Sequence, residues 1–269
     1  MIINGIELCE DAFAPLTTGA DARVMTANIL SEEWGGTECL PRAKVLAANL
    51  AYYSPDAVGA QEVSINWDEA LATVLPEVGY AVLHEKVEGH SSNYCPIIYN
   101  TRTLDVIESG AYRLTLGGPR KARCVTWAEF ELRGSSKRFI LLNTHLDWIR
   151  DKLDYTTQGA VSHYSREMQV RELSGTYAEL EARYPGVPIL MCADWNTAKE
   201  KHPLNILTDL TGAKYCTDVL ECSEWNDYEV DHIFINNAQS VVGIHMYREN
   251  CTDLGATDHP WGFVDISIK

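Results

Sequence analysis

Apolar residues arrive along this chain in short runs that end on polar side chains. The clearest is Ile189–Thr197 (ILMCADWNT), where the apolar stretch Ile189–Ala193 stops at Asp194 and Asn196 follows two residues later. A short apolar run closed by a polar cluster reads as a buried strand presenting side chains at its C-terminal end. Strand side chains alternate between faces, so Asp194 and Asn196 share a face if the extended conformation persists. For this segment alone an Asx turn closing a strand is the better explanation of the pattern.

The same grammar runs through the chain. Arg23–Leu30 reads as a strand ending near Asn28, and Ala57–Val63 as a short buried strand carrying Glu62 at its end. Between them, Ala43, Leu46, Ala47 and Leu50 recur at helical spacing over 41–53, ahead of Pro55. Trp67, Leu71, Val74 and Leu75 predict a second helix over 65–78. Tyr80–Leu83, Ile97–Asn100 and Leu104–Ser109 read as strands, and 124–132 with 138–144 as a hairpin around Gly134-Ser135-Ser136. The polar stretch 148–165 reads as a loop. Val170, Leu173, Tyr177 and Leu180 then predict a helix over 166–183, stopped by Tyr184-Pro185-Gly186. A short helix at 204–210 and strands at 230–235 and 263–268 complete the pattern. Alternating strands and helices early, with hairpins in the middle, predict stacked α/β layers rather than a purely parallel sheet. With no repeat and no linker-like stretch, one domain over 1–269 is expected.

Composition narrows the chemistry. A net charge of −16 argues against a broad basic nucleic-acid surface, while leaving room for a site that grips phosphate through a metal. Arg120-Lys121-Ala122-Arg123 is a small basic cluster, the one obvious candidate to meet a polyanion, with solvated surface charge the stronger reading. Eight cysteines form no CxxC pair, and those in apolar runs, Cys124 and Cys192, are expected as buried free thiols. The first residues lack the basic and apolar regions of a signal peptide, and no run reaches the ~20 apolar residues of a membrane span. A cytoplasmic protein with no membrane span and no obligate protein partner is expected.

Polar residues stand at strand ends in five places: Asn28, Glu62, His145 and Asp147 (NTHLD), Asp194 and Asn196 (DWN), and Asp258-His259 (TDHP). A sixth, Asp231-His232, opens a strand. Each has a plain structural reading, since Asn28 and Asp258 could cap turns, Glu62 could be solvated, and His145 could bond backbone. Their joint occurrence in this order is harder to explain that way. Oxygen ligands suit Mg²⁺ or Mn²⁺ over zinc, and a carboxylate–histidine pair can orient or take a water proton.

The ordered set TANIL, AQEV, NTHLD, CADWNT, VDHIF and TDHPW resembles the endonuclease/exonuclease/phosphatase superfamily of metal-dependent phosphoesterases, from about Arg23 to the C-terminus. The resemblance implies a deoxyribonuclease-I-like α/β fold, a four-layer α/β/β/α sandwich of two packed mixed sheets with the site at the strand ends between them. It implies Glu62 as principal metal ligand, with Asn28 and Asp258 contributing directly or through water. His145 corresponds to the histidine contacting the scissile phosphate, and Asp194 with Asn196 to the pair positioning water and a phosphate oxygen. His259 corresponds to the histidine near the nucleophile, and Asp231 to its orienting carboxylate. Departures fall at Asn93, where some members carry an acid, at Cys192-Ala193, where a small residue and glycine are usual, and in the short 217–231 stretch. The expected function is Mg²⁺- or Mn²⁺-dependent hydrolysis of a phosphodiester or phosphomonoester on a phosphorylated small molecule or nucleic acid. A nuclease stands as the alternative within the family, and an inactive binding module as the alternative from another class. His232, facing away from Asp231, is expected to be structural; Trp148 and Trp195, beside site residues, could flank a substrate, with aromatic packing beneath a loop the stronger reading.

Overall fold

A computed structural model describes all residues except 10–14, 36–37, 88–93, 115–122, 149–156 and 227–228, and for 157–164 the backbone alone. The chain opens with a ribbon of β1 (Ile2–Ile3) and β2 (Ile6–Glu7). Then come β3 (Ala22–Asn28), α1 (Glu32–Gly35), α2 (Cys39–Tyr53), β4 (Ala57–Gln61), α3 (Ile65–Val78), β5 (Tyr80–Leu83) and β6 (Ile97–Asn100). The hairpin strands β7 (Leu104–Arg113), β8 (Cys124–Leu132) and β9 (Arg138–His145) precede α4 (Thr157–Arg183) and β10 (Ile189–Asp194). α5 (His202–Thr211), β11 (Lys214–Tyr215), α6 (Cys216–Val219), β12 (Asp231–Ile235), β13 (Val241–Tyr247) and β14 (Trp261–Ile266) follow.

Local chemistry sets the helix ends. Ser64 caps α3 by accepting the Trp67 N–H, and Gly79 closes it at φ 83°, a left-handed position that costs glycine least. α2 ends at Ser54, just before Pro55. The central strands β3, β4, β10 and β12 are buried on both faces, which is why they read as mainly apolar runs rather than as an alternation of apolar and polar residues.

Two six-stranded sheets result, in the orders β13-β14-β3-β4-β6-β5 and β11-β12-β10-β9-β8-β7. Each is antiparallel apart from one central parallel pair, β3/β4 in the first and β9/β10 in the second. Val24, Ile97, Leu141, Leu190 and Val264 help fill the space between the sheets. α2 and α3 bury Leu46, Leu50, Leu71 and Leu75 against the first sheet, and α4 brings Val170, Leu173 and Tyr177 to the second. The fold is the expected four-layer α/β sandwich of two mixed sheets.

The seam between sheets also carries polar contacts. Asn143 donates to the carbonyls of Ala60 (2.7 Å) and Pro96 (2.8 Å) and accepts from Gln61 Nε2 (2.7 Å). Satisfied in this way, a buried amide avoids the ~1–3 kcal/mol cost of an unpaired one and fixes how the sheets sit. Opposite it, Gly59 leaves space that no larger residue could share, because a Cβ there would lie 2.8 Å from Asn143 Oδ1 and from Cys192 Cβ.

Three stretches differ from the sequence reading. Residues 157–165, expected as loop, are helical and extend α4 toward its N-terminus. Extension of a nucleated helix avoids the nucleation cost, so a segment without an apolar stripe can join it. β13 was not anticipated, because Gly243 interrupts it and a register shift lies between Val241 and Gly243. β7 runs to Arg113, past the expected Ser109, as a partly exposed edge strand. Asn93 and most of the Arg120–Arg123 cluster lie outside the described residues. Cys124 and Cys192 are buried free thiols, as expected. Among the described residues, no helix is long and apolar enough to cross a membrane.

Candidate active site

The C-terminal ends of both parallel pairs meet at one end of the sandwich. In the second sheet, the register sets Asp194 beside His145 on one flank and beside Asp231 on the other. In the first, Asn28 pairs with Gln61, so Glu62 emerges next to it. β14 runs antiparallel to β3, which places its start, and hence Asp258 and His259, at the same end. The structure thus brings together all eight sequence-derived site residues. Glu62, His145, Asp194, Asn196, Asp258 and His259 line one cavity of about 380 Å³, with Asn28 and Asp231 bonded to its walls.

Asp194 is the hub. Its Oδ2 accepts from Asn28 Nδ2 at 3.0 Å and lies 3.2 Å from His145 Nε2 and 3.9 Å from His259 Nε2, while Oδ1 accepts the Asn196 N–H at 2.9 Å. Burial, reinforced by the charge of Asp231, pushes its pKa up to about 6, against the pull of His259 and its hydrogen bonds. His259 Nδ1 meets Asp231 Oδ2 at 2.7 Å. Burial alone would lower the pKa of His259, but Asp231, then Asp194 and Asp258, outweigh it and hold the imidazole well above its ordinary value. Asn196 Nδ2 lies 2.8 Å from His145 Nε2 and donates to the Leu146 carbonyl. Tyr94 stacks over the His145 ring at 5.9 Å.

Glu62 is held by the Ser31 N–H (2.8 Å) and Asn28 Nδ2 (3.3 Å), and burial with the nearby Asp194 charge raises its pKa. Asn28 turns its NH₂ between the two carboxylates, while its Oδ1 accepts from the Leu30 N–H. Ligand atoms of Glu62, His145 and Asp194 lie within 4.8 Å of one another, as do those of Asp194, Asp231 and His259. Two buried carboxylates with raised pKa values are what a site looks like when it has room for a divalent cation. The hard oxygen donors fit Mg²⁺ or Mn²⁺.

Backbone strain gathers here. Leu30 (φ 55°), Glu62 (φ 68°) and Asn196 (φ 50°) are left-handed non-glycine residues. The strand therefore does not continue past Asp194, and Asp194 and Asn196 form the Asx turn rather than sharing a strand face. They converge on His145 nonetheless.

Other residues join the site against the stronger reading of their sequence. Arg123, read as solvated charge, is 4% exposed, lines the cavity, and has no hydrogen-bond partner for Nε or Nη1. Its position just before β8 was visible in the sequence, but its direction was not. Trp148, read mainly as packing, lines the cavity with Trp34. Trp195 does pack as expected, fully buried, with Nε1 donating to the His232 carbonyl. His232 turns to the other face, against Tyr215. Asp147 is held by α4, its N–H donating to Gln169 and its carbonyl accepting from Arg166.

Comparison with known proteins agrees with this fold. A crystal structure of an endonuclease/exonuclease/phosphatase from Bacteroides vulgatus superposes with a TM-score of 0.75 at 17% identity, over 92% of this chain and 99% of that one. A mannosyl-6-phosphatase from Bacteroides thetaiotaomicron gives 0.70 at 17% identity, over 91% and 99%. The Arabidopsis thaliana carbon catabolite repressor protein 4 homolog 3 is 25% identical over 70% of this chain, which spans only 46% of that relative. The profile of the Endonuclease/Exonuclease/phosphatase family matches residues 25–259, and the chain belongs to that family.

Proposed function

We propose that this protein hydrolyses a phosphate ester on a small phosphorylated molecule, using a bound Mg²⁺ or Mn²⁺. The observation that carries the reading is one cavity in which Asp194 lies between two imidazoles, with Arg123 on its wall, whose Nε and Nη1 have no hydrogen-bond partner among the described residues. Glu62 is the principal metal ligand, with Asp258 at the open side of the cavity. Asn28 contributes its oxygen only if its amide turns over, because Oδ1 now serves Leu30. When bound, the cation neutralises phosphoryl charge and orients the group.

The chain's own residues supply the rest. Asp194, with a pKa near 6, can take a proton from water at neutral pH, and Asn196 fixes that carboxylate through its backbone N–H. Asp231 orients His259 through Nδ1 and keeps it protonated, so that Nε2–H faces the cavity as a donor to a phosphoryl oxygen. His145 and Arg123 meet the remaining oxygens, and a guanidinium can do so through two parallel bonds. Water adds to phosphorus as its proton passes to Asp194, the bond from phosphorus to the ester oxygen breaks, and the leaving oxygen takes up a proton from solvent.

The charge of −16 and a single Lys or Arg lining the cavity, among the described residues, favour a small substrate over a polyanion. The mannosyl-6-phosphatase neighbour acts on a substrate of that class. The test is turnover of generic phosphomonoesters and phosphodiesters with Mg²⁺ or Mn²⁺, repeated in chelator. Hydrolysis should vanish in chelator and in His145→Ala, Asp194→Ala and His259→Ala. Metal-independent turnover, or inactivity on both ester classes with no Mg²⁺ binding, sinks the reading, the second outcome in favour of a binding module.

A further inference from the structure

Trp34 and Trp148 come from opposite sheets and meet at the cavity. Trp34 follows β3 on the four-residue α1, and Trp148 follows β9. Their ring centroids are 5.8 Å apart with planes at 72°, so the two indoles form a corner. Trp34 is 56% exposed, and α1 buries none of its residues, so packing does not account for its indole being there. A single exposed apolar side chain needs no explanation. Two tryptophans recruited from distant segments to the rim of an ionisable cavity do.

The turn carrying Trp34 is also firmly tied down. The Glu32 carboxylate accepts from Ser64 Oγ and Asn66 Nδ2, the second at 2.8 Å. Arg42 donates to the carbonyls of Ile29 and Leu30. Ser31 donates its N–H to Glu62, which fixes the turn directly to the candidate metal ligand. An aromatic surface held this way needs little ordering when a ligand arrives.

We propose that Trp34 and Trp148 select substrates in which a ring lies close to the phosphate, one indole face stacking on that ring. The inference rests on the phosphoester reading above and names the substrate class for the same site. Size supports it, since a cavity of about 380 Å³ is at the small end of ligand sites and suits a monophosphorylated ring compound. Polarity supports it too. Arg123 and the histidines gather the anion at the cavity floor, and the tryptophans offer the other end of the ligand an apolar, flat surface. A sugar presents C–H groups to such a surface and a nucleobase presents its π-face, so both belong to the class.

The experiment uses the full chain with Mg²⁺ and three probes: ribose 5-phosphate, adenosine 5′-monophosphate, which adds a base to the same sugar phosphate, and ring-free glycerol 3-phosphate. Two readouts are taken, kcat/KM and binding followed by quenching of tryptophan emission. The wild type should favour at least one ring compound, and which one identifies sugar or base as the ring. Trp34→Ala and Trp148→Ala should each lower the ring-to-glycerol ratio about tenfold, mostly through KM. Trp34→Phe should recover most of that loss. A wild-type ratio near one, or a ratio that neither alanine variant changes, overturns the inference. If nothing is turned over but ring phosphates still bind through the tryptophans, the hydrolase reading falls and this one stands.

Discussion

Asp194 is the group through which removal of metal should become visible as a pH-dependent change in stability. Its carboxyl is raised from 3.8 to about 6, mainly by burial and then by Asp231. With a tenfold change in acid strength worth roughly 1.4 kcal/mol, the displacement corresponds to about 3 kcal/mol. The folded-state value lies above the unfolded one, so proton binding favours the folded protein. That contribution is complete below pH ~4 and is lost as the pH rises through ~6. Asp194→Asn, which cannot ionise, should therefore gain on the wild type in chelator by about 3 kcal/mol between pH 4 and pH 7.5. The cost of altered hydrogen bonds to Asn28 and Asn196 shifts the whole curve, while relief of Glu62 from the Asp194 charge adds to the rise with pH. Urea unfolding of both proteins in EDTA at four pH values measures the difference. Mg²⁺ at 100 times its Kd should then restore about 2.7 kcal/mol to the wild type. A stability difference that stays flat with pH, or falls as pH rises, refutes the claim that this carboxylate is held against its own charge.

Three further outcomes can be checked directly. Arg123→Ala should lower kcat/KM by roughly 10- to 100-fold, the worth of a charge-assisted hydrogen bond, with an unchanged far-UV spectrum, and Arg123→Lys should recover only part of it. Asp231→Asn removes the leading support for the raised pKa of His259, so the alkaline limb of the pH–rate profile should move to lower pH while the KM for Mg²⁺ stays close to wild type. Gly59→Ala puts a methyl group 2.8 Å from both Asn143 Oδ1 and Cys192 Cβ and should cost about 1–3 kcal/mol, read as a lower melting temperature.

Much of the architecture was legible because the inner strands are buried on both faces. Runs such as Ile189–Ala193 cannot be mistaken for amphipathic helix, and Pro55 and Gly79 mark where α2 and α3 stop. What local pattern could not supply was direction. Arg123 sits in a basic cluster that looks solvated, and only the pairing of Val125 with Thr144 carries its side chain toward His145. Trp34 stands on a single helical turn, too short for any periodicity to show which way it faces. Of the two readings of Asp194 and Asn196, the Asx turn holds and the shared strand face does not, since a left-handed turn rather than a continuing strand brings them together. β13 escaped notice because an edge strand with a glycine and an irregular register leaves a weak trace.

The place of β14 bears on how this protein can be synthesised. It lies between β13 and β3, so β3 gains its second neighbour only after all the strands from β4 to β13 have been made. Until then the apolar β3 presents an open hydrogen-bonding edge, the kind of surface that recruits stray strands, and long-range pairing of this sort closes slowly. A ribosome-bound intermediate should accordingly lean on chaperones and be catalytically silent, acquiring His259 and a closed sheet in the same late event.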